Sequence, residues 1–414
     1  MYLLIDCNNF FVSCERLFAP EYRRKPVVVL SNNDGCAISR SNEVKNLGIK
    51  MGQPLFEFEH LVKKHNVKTY STNFKLYRDV SRKIMNILSK YSQYLEVYSI
   101  DEAFLYFDED DKDFYKIAKK IKREILVSLD IPVSIGIAPT KTLAKIASEW
   151  NKRSTGICEI NGINRVEILS KFPVEDVWGV GRAYSKKLIK RNFRTAQEFA
   201  QANISIFSRV NVNLRITHME LNGIECIKFQ HPKVPKSMAH TRTLYKGVSD
   251  LTKLNKIVSE FAELLSFNLT NKFLYTSHML VFIDVPSDEP GASFRRRQHF
   301  ADEVSFMPTC YAPDLIKIAK ILLKKIHISK HKVKKIGIIY SSITPINSTK
   351  LELFGRDLTE RNIKIMNNVV KYNNKVSRNV IHTGATEQDK HYVANRKVLS
   401  QKYTSSWEEL LKVK

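Results

Sequence analysis

Two adjacent carboxylates, Asp101 and Glu102, stand inside the stretch EVYSIDEAFLYF, whose flanking residues are apolar and typical of strands. Neighbours in a regular strand point to opposite faces, so both side chains reach one site only if the strand bends or turns there. Two anions that close together repel unless a positive charge lies between them, and Mg²⁺ suits hard oxygen ligands. An acidic hairpin tip that points into water is the alternative.

A third carboxylate, Asp6, ends the first predicted strand, MYLLID. A rigid strand holds such a side chain in place while the following loop stays open to a substrate. We expect Asp6, Asp101 and Glu102 to converge on one face of a small sheet. Two divalent ions about 3.5–4 Å apart could bind there, one activating an attacking hydroxyl and the other neutralising a leaving phosphate. Nucleotidyl cyclases and two-metal nucleases use similar carboxylates, so these activities remain alternatives.

The elements that must position these residues fall into four segments. Residues 1–165 mix strands and helices and predict an α/β or α+β domain. Residues 166–235 favour short helices, including a helix, a Gly-x-Gly turn and a second helix in DVWGVGRAYSKKLIKR. Residues 236–342 follow the order β-α-β-β-α-β, which is typical of a sheet with two helices on one face. Residues 343–414 are rich in Asn and charge and predict a loosely packed or partner-bound tail.

The charge of the chain indicates the kind of partner. The 414 residues include 67 Lys and Arg against 42 Asp and Glu, a formal net charge of +25 that is spread along the whole chain. A positive field distributed over several domains suits a long polyanion such as nucleic acid, because each phosphate contact adds affinity. A basic surface that merely keeps the protein soluble is the alternative.

The remaining composition indicates a cytoplasmic protein. The six cysteines have neither CxxC spacing nor paired clustering, which favours free thiols in a reducing compartment. The N-terminus lacks a basic region before its apolar run, so it does not match a signal peptide. No apolar run approaches the ~18 residues of a membrane span, and we expect no membrane partner.

Several stretches together resemble a known family. DCNNFFVSCE, VVVLSNNDGCAISRSNEVKNLGIKMG, YSIDEAF and GIAPTKTLAKIAS resemble the palm and fingers of Y-family translesion DNA polymerases. The NNDG turn, FPVEDVWGVGR and the closing KYTSSW are similar to the UmuC branch, the catalytic subunit of bacterial polymerase V. The resemblance covers nearly the whole chain. It implies an α+β multidomain, right-hand polymerase with palm and small fingers (1–165), helical thumb (166–235), βαββαβ little finger (236–342) and a tail (343–414).

The resemblance also implies an activity, which is error-prone translesion synthesis in SOS DNA repair. The primer 3′-hydroxyl would attack the α-phosphate of a dNTP opposite a damaged template base. Asp6, Asp101 and Glu102 match the catalytic carboxylates that bind two Mg²⁺ ions, and the backbone carbonyl of Cys7 would complete the metal sphere. A DNA- and clamp-binding scaffold with an inactive palm is the non-catalytic alternative.

The same resemblance implies a nucleotide pocket. Phe11 matches the steric gate that excludes a ribose hydroxyl, and Phe10 beside it would wall the sugar pocket or pack in the core. Asn42, Lys45 and Lys141 fall where the family contacts the incoming triphosphate. The family often has Tyr and Arg where this chain has Asn42 and Lys45, and lysine lacks the forked geometry of arginine. Arg40 could substitute there or could be solvated.

DNA and protein contacts are implied further along the chain. Gly179, Gly181 and Arg182 resemble a helix-hairpin-helix turn that approaches a phosphate. In the run Arg295-Arg296-Arg297, strand alternation would let Arg295 and Arg297 grip the DNA backbone, unless the run is simply solvated. A peptide similar to the clamp-binding motif begins with Lys350 in place of the usual Gln and offers the apolar residues Leu351, Leu353 and Phe354. The UmuC resemblance implies primed DNA, a dNTP, a sliding clamp, a UmuD′-type subunit and RecA as partners.

Overall fold

The structure is a computed structural model, and it divides into two compact units. The first unit is Met1–Pro232 together with Arg396–Lys414, and the second is Lys233–Asn395. The residues described are 1–108, 112–152, 154–203, 205, 211–231, 233–286, 297–329, 331–346, 356–376, 380–386 and 396–410. Each unit has its own core, as expected for independently packed parts of a chain.

The first unit is built on a five-stranded sheet with the strand order β5-β6-β1-β7-β8. Its strands are β1 (Tyr2–Cys7), β5 (Tyr94–Val97), β6 (Glu102–Tyr106), β7 (Val133–Ala138) and β8 (Ile157–Glu159). The apolar residues 2–5 of β1 are at most 1% exposed. A central strand buried on both faces is expected to be continuously apolar, which explains why MYLLI is not an alternating pattern.

A second, three-stranded sheet of the first unit has the order β3-β2-β4. It contains β2 (Val27–Leu30), β3 (Ala37–Arg40) and β4 (Lys68–Ser71). β2 and β3 pair antiparallel around the predicted NND turn, whereas β4 pairs parallel to β2. The sheet belongs to the region in which the resemblance places the fingers.

Helices of the first unit surround both sheets. They are α1 (Phe10–Leu17), α2 (Asn42–Asn46), α3 (Leu55–Lys64), α4 (Phe74–Leu88), α5 (Phe114–Leu129), α6 (Lys141–Trp150), α7 (Arg165–Lys171), α8 (Arg182–Lys190), α9 (Ala196–Gln201) and α10 (Val212–Leu221). Short polar side chains cap several of them, and Thr140 accepts the Leu143 N–H at the start of α6.

The contact between β7 and α6 depends on a glycine. A Cβ at Gly136 would lie 2.0 Å from the carbonyl oxygen of Ala144, so a larger residue would push the helix off the sheet. This close approach brings Lys145 of α6 to Glu102 at the start of β6.

The second unit has the predicted β-α-β-β-α-β order. Its elements are β9 (Ser237–Val248), α11 (Leu251–Asn271), β10 (Leu274–Pro286), β11 (Arg297–Thr309), α12 (Ala312–Ile326) and β12 (Val333–Pro345). The strands form an antiparallel sheet in the order β11-β10-β12-β9. The apolar stripes of both helices pack against this sheet in one core.

The described parts of the C-terminal tail are packed rather than loose. Helix α13 (Arg356–Val376) places Met366 and Val370 against Phe267 and Ala312 of the second unit. Residues 396–410 belong instead to the first unit. In the parts of the chain that the structure describes, no helix is both long and apolar enough to cross a bilayer. All six cysteines are free thiols.

Candidate active site

The carboxylate pair lies at a hairpin turn between β5 and β6. The N–H groups of Tyr98 and Ser99 both donate to the carbonyl of Glu102, at 3.1 and 3.0 Å, and close the turn. The turn breaks the strand alternation just before Glu102, which is the bend that the sequence requires for both carboxylates to reach one site. The residues are only partly exposed, so this is not an acidic tip extending into water.

Backbone pairing brings the third carboxylate to the same end of the sheet, and Asp6, Asp101 and Glu102 together are called the carboxylate corner. Asp6 on β1 lies directly opposite Glu102 on β6, and partners in an antiparallel pair project to the same face. The Cys7 N–H donates to the carbonyl of Asp101 at 2.9 Å, which ties the hairpin to the end of β1. The Cys7 side chain is buried, so its thiol points away from solvent.

Two lysines pair with two of the three carboxylates. Lys152 Nζ lies 3.0 Å from Asp6 Oδ2, and Lys145 Nζ lies 3.0 and 3.1 Å from the two carboxylate oxygens of Glu102. Lys145 also lies over the rings of Tyr98 and Trp178, at 4.4 and 5.2 Å from the ring centroids. Each ammonium group compensates a partly buried anion that would otherwise repel its neighbours.

The electrostatics of the corner reflect this crowding. Burial raises the pKa of Asp6 to about 6, Lys152 opposes the rise, and the charges of Glu102 and Asp101 add to it. Burial lowers the pKa of Lys152, but Asp6 and Glu149 outweigh that effect and the net shift is upward. Burial and mutual repulsion therefore make the ionised carboxylates unfavourable by themselves. A bound cation would relieve both effects.

The donor set fits a hard divalent cation by its chemistry, since it consists of carboxylate oxygens beside a backbone carbonyl. Among the residues that the structure describes, no three His, Cys, Asp or Glu side chains are arranged as a ready-made metal cluster. Lys145 and Lys152 now pair with Glu102 and Asp6, whose charge a cation would compensate.

Comparison with known proteins decides the family. A model of the impB/mucB/samB family matches residues 5–149, and the model of its C-terminal domain matches residues 235–353. Protein UmuC of Salmonella typhimurium is 31% identical, and the match covers 100% of both chains. The chain belongs to this family, the UmuC-type Y-family DNA polymerases. A further model, described only as a domain of unknown function, matches residues 364–413.

Other relatives place the UmuC-type chain among Y-family polymerases. DNA polymerase IV 1 of Bacillus subtilis is 28% identical, with 92% of each chain covered. A solved chimera of the Y-family DNA polymerases Dbh and Dpo4 has a TM-score of 0.69 and 21% identity, covering 83% of this chain and 99% of the chimera. This structural likeness confirms the predicted right-hand, multidomain fold. Y-family DNA polymerases use divalent metal ions.

The two phenylalanines of the UmuC-type motif have different environments. Phe11, at the start of α1, is half-buried and stacks on Tyr77, with ring centroids 4.5 Å apart and planes 14° apart. Phe10 is 3% exposed and packs in the main core. This burial favours the packing alternative for Phe10, and its role as a wall of the sugar pocket stays a prediction.

The residues predicted to contact the triphosphate do not all lie together. Lys141 is 1% exposed, and its Nζ lies 2.6 Å from Glu96 Oε2 and 3.0 Å from the carbonyl of Lys228. This ammonium is held inside the unit by these two contacts, and the phosphate contact of Lys141 stays a prediction. Lys145 and Lys152, rather than Lys141, are the lysines that pair with Glu102 and Asp6 in this structure.

Asn42 and Lys45 lie on α2, near the start of α1. The Asn42 side chain is exposed, and its Oδ1 accepts from Asn9 Nδ2 at 3.1 Å, one residue before α1 begins. Lys45 is half-buried on the same short helix. Arg40 donates to the carbonyl of Ile49 at 2.6 Å, so it is engaged within the fingers rather than simply solvated.

The Gly-x-Gly turn precedes helix α8. Gly179 has φ of +93°, a conformation that side chains rarely adopt, whereas Gly181 has φ of −75° and is the N-cap of α8. Gly179, Gly181 and Arg182 are exposed, and the intervening Val180 is buried and anchors the turn. Trp178 Nε1 donates to the Tyr98 hydroxyl at 3.2 Å, which links the turn to the carboxylate hairpin.

The remaining predicted residues are only partly covered. Arg297 begins β11 and is exposed. Arg295 and the clamp-peptide residues Leu351, Leu353 and Phe354 lie outside the described residues.

Sequence reasoning missed Lys145 and Lys152. Lys145 follows Lys141 by one helical turn, and this i, i+4 spacing was a usable signal for a basic helix face. Lys152 follows the end of α6 in the loop sequence WNKR, where no periodic pattern indicated its direction.

Proposed function

We propose that this chain catalyses template-directed, error-prone DNA synthesis past damaged bases, as part of an SOS repair response. Family membership supports the reaction class. The observation that carries the proposal is the grouping of Asp6, Asp101 and Glu102 at one strand end, held there by backbone hydrogen bonds, with Asp6 and Glu102 each paired with a lysine. A preorganised anionic corner beside an open helix start is suited to a phosphoryl-transfer site.

We assign the cation site to the carboxylates of Asp6, Asp101 and Glu102 with the carbonyl of Cys7. Two Mg²⁺ ions bound there would supply a lowered pKa for the primer hydroxyl and charge compensation for the leaving pyrophosphate. The carboxylates hold their positions because β1 is the buried centre of the sheet. Lys145 and Lys152 compensate two of the three carboxylate charges in the unliganded site and exchange their carboxylate partners when substrate enters.

The nucleotide pocket follows from the neighbours of this corner. Phe11 presents its ring at the start of α1 and acts as the steric gate against a ribose hydroxyl. Lys152 joins Lys141 as a lysine for the incoming triphosphate, since its ammonium already lies beside Asp6. Asn42 and Lys45 on α2 offer a hydrogen-bonding amide and a positive charge from the fingers.

We propose palm and fingers in 1–165, thumb in 166–235, little finger in 236–342 and tail in 343–414. Primed DNA is bound by the Gly179–Arg182 turn, by Arg297 of β11 and by Arg295, which lies outside the described residues. The net charge of +25 supports affinity for a polyanion. The UmuC relationship supports a UmuD′-type subunit and RecA as activating partners.

The test is primer extension on undamaged and abasic templates with Mg²⁺, with and without the UmuD′-type subunit and RecA. Wild type is compared with Asp101→Ala/Glu102→Ala. Glu57→Ala/Glu59→Ala is the matched control, because it removes two carboxylates from an exposed face of α3. We expect wild type and control to extend across the lesion and the Asp101/Glu102 variant to lose extension while it still binds DNA.

Extension by the Asp101/Glu102 variant at the wild-type rate would refute the site. Failure of wild type under every partner condition, with DNA binding intact, would favour a DNA- and clamp-binding scaffold instead.

We also propose that Leu351, Leu353 and Phe354 insert into an apolar groove of the sliding clamp. Replacement of Leu353 and Phe354 by Ala should abolish clamp retention on a pull-down without changing extension on short primers that lack a clamp. Undiminished retention would reject this peptide as the clamp contact.

A further inference from the structure

The last described segment of the chain, residues 396–410, lies against the first unit and is called the strap below. It runs along β4, the edge strand of the three-stranded sheet. The Ser71 N–H donates to the carbonyl of Val398 at 2.9 Å, and the Val398 N–H donates to Ser71 Oγ at 3.1 Å. Asp34 Oδ2 accepts from the Lys397 N–H at 2.8 Å. The strap thus pairs the Ser71 N–H, a backbone group that an open sheet edge would leave unpaired.

The strap then contacts two helices at their ends. Asn73 caps α4 by accepting the Leu76 N–H, and its Nδ2 donates to Ser400 Oγ at 3.0 Å and to the Gln401 carbonyl at 3.2 Å. Tyr403 stacks on Phe18 at the end of α1, with centroids 4.3 Å apart and planes 4° apart. One short segment therefore binds the end of α1 and the beginning of α4.

These are the helices that make and support the Phe11 position. Phe11 belongs to α1, and Tyr77 and Phe74 of α4 contact its ring. Tyr77 is fully buried, and its hydroxyl donates to Glu15 Oε1 at 2.6 Å, which joins α4 back to α1. In the proposed function the Phe11 ring faces the nucleotide. Tyr77 supports it from behind, and the position of Tyr77 depends on how α1 and α4 are held together.

We propose that the strap is a positioning element for the steric gate, with Tyr403 as its main anchor on α1 and Ser400 on α4. This inference rests on the proposed function, in which Phe11 is the gate. A ring excludes a ribose hydroxyl only if it cannot retreat, because a shift of a few tenths of an ångström relieves the repulsive contact. By holding both helices in place, the strap keeps Tyr77 stacked behind Phe11, so the Phe11 ring cannot move away from the sugar. The strap lies within the segment that matches a domain of unknown function, to which the proposal assigns a role.

The test measures kcat/KM for a dNTP and for the matching rNTP, using the full chain with its activating partners. The variants are Tyr403→Ala, Tyr403→Phe and Trp407→Ala, with Phe11→Ala as the reference for a lost gate. Trp407 is the matched control, because it is an aromatic residue of the same strap that is 91% exposed. We expect Tyr403→Ala to lower the dNTP over rNTP preference by about fivefold, the range of one aromatic pair. Tyr403→Phe retains the stacked ring and should restore the preference, and Trp407→Ala should leave it unchanged.

The ratio of kcat/KM for dNTP to kcat/KM for rNTP distinguishes a misplaced Phe11 from a partly unfolded enzyme. Partial unfolding lowers incorporation of both nucleotides equally and leaves this ratio unchanged. A Tyr403→Ala ratio equal to that of Trp407→Ala would overturn the proposal. Amide hydrogen exchange decides the same question without activity. We expect faster exchange in α1 and the first turn of α4 for Tyr403→Ala alone, and unchanged exchange there would equally reject it. Loss of all extension, or a Phe11→Ala ratio equal to wild type, would instead count against the proposed function.

Discussion

Replacing the buried Glu15 by Gln should remove a pH-dependent loss of stability from the first unit. Glu15 is 1% exposed, and burial raises its pKa from the ordinary value of 4.5 to about 7, although hydrogen bonds from Tyr77 and Ser400 oppose the rise. A carboxyl whose folded pKa is raised stabilises the fold fully below its unfolded pKa, and this contribution is lost as the pH rises through the folded value. The shift corresponds to about 3 kcal/mol at 1.36 kcal/mol per pH unit.

The measurement is urea unfolding between pH 5 and pH 8. Tryptophan fluorescence reports on the first unit alone, because Trp150, Trp178 and Trp407 all belong to it. Relative to Glu15→Gln, wild type should lose about 2–3 kcal/mol over this interval, since Gln keeps the shape and the acceptor for Tyr77 but does not ionise. Glu57→Gln, at an exposed position of α3, controls for removal of a charge. Parallel stability curves for wild type and Glu15→Gln would show that Glu15 titrates as an ordinary surface carboxyl and would refute this reasoning.

Two further pairs of substitutions test the assignments of lysine and glycine. Lys141→Met should destabilise the first unit by about 3 kcal/mol in urea, because it leaves Glu96 without its ammonium partner in a buried pair. Lys152→Met should also destabilise this unit, because Asp6 loses its ammonium partner, and should in addition lower kcat/KM for dNTP by about 100-fold. A loss of kcat/KM in Lys141→Met instead would assign the phosphate contact to Lys141. Gly179→Ala should destabilise the same unit by about 1–3 kcal/mol, because its φ is +93° and a Cβ would lie 2.4 Å from Thr217 Oγ1. Gly181→Ala should be tolerated, since no atom lies within 4 Å of a Cβ there, and equal melting temperatures for both variants would contradict the argument.

Much of the fold was predictable because its signals are local. Continuous apolar residues marked β1, the NND turn marked the β2–β3 hairpin, and helical periodicity marked α11 and α12 of the second unit. The β-α-β-β-α-β order follows from these neighbouring patterns. Strand β4 was missed, because its four residues KTYS carry little apolar pattern and pair in parallel with a strand far away in the chain.

The amino-acid sequence by itself determined the carboxylate chemistry and the family, since both depend on residue types at fixed short spacings. Only the tertiary structure decided which lysines pair with the carboxylates: Lys141 is buried against Glu96, whereas Lys145 pairs with Glu102 and Lys152, in the loop after α6, pairs with Asp6. It also decided that Phe10 packs inward while Phe11 faces Tyr77, and that residues 396–410 return to the first unit. These outcomes depend on contacts between residues distant in the chain, which no local pattern encodes.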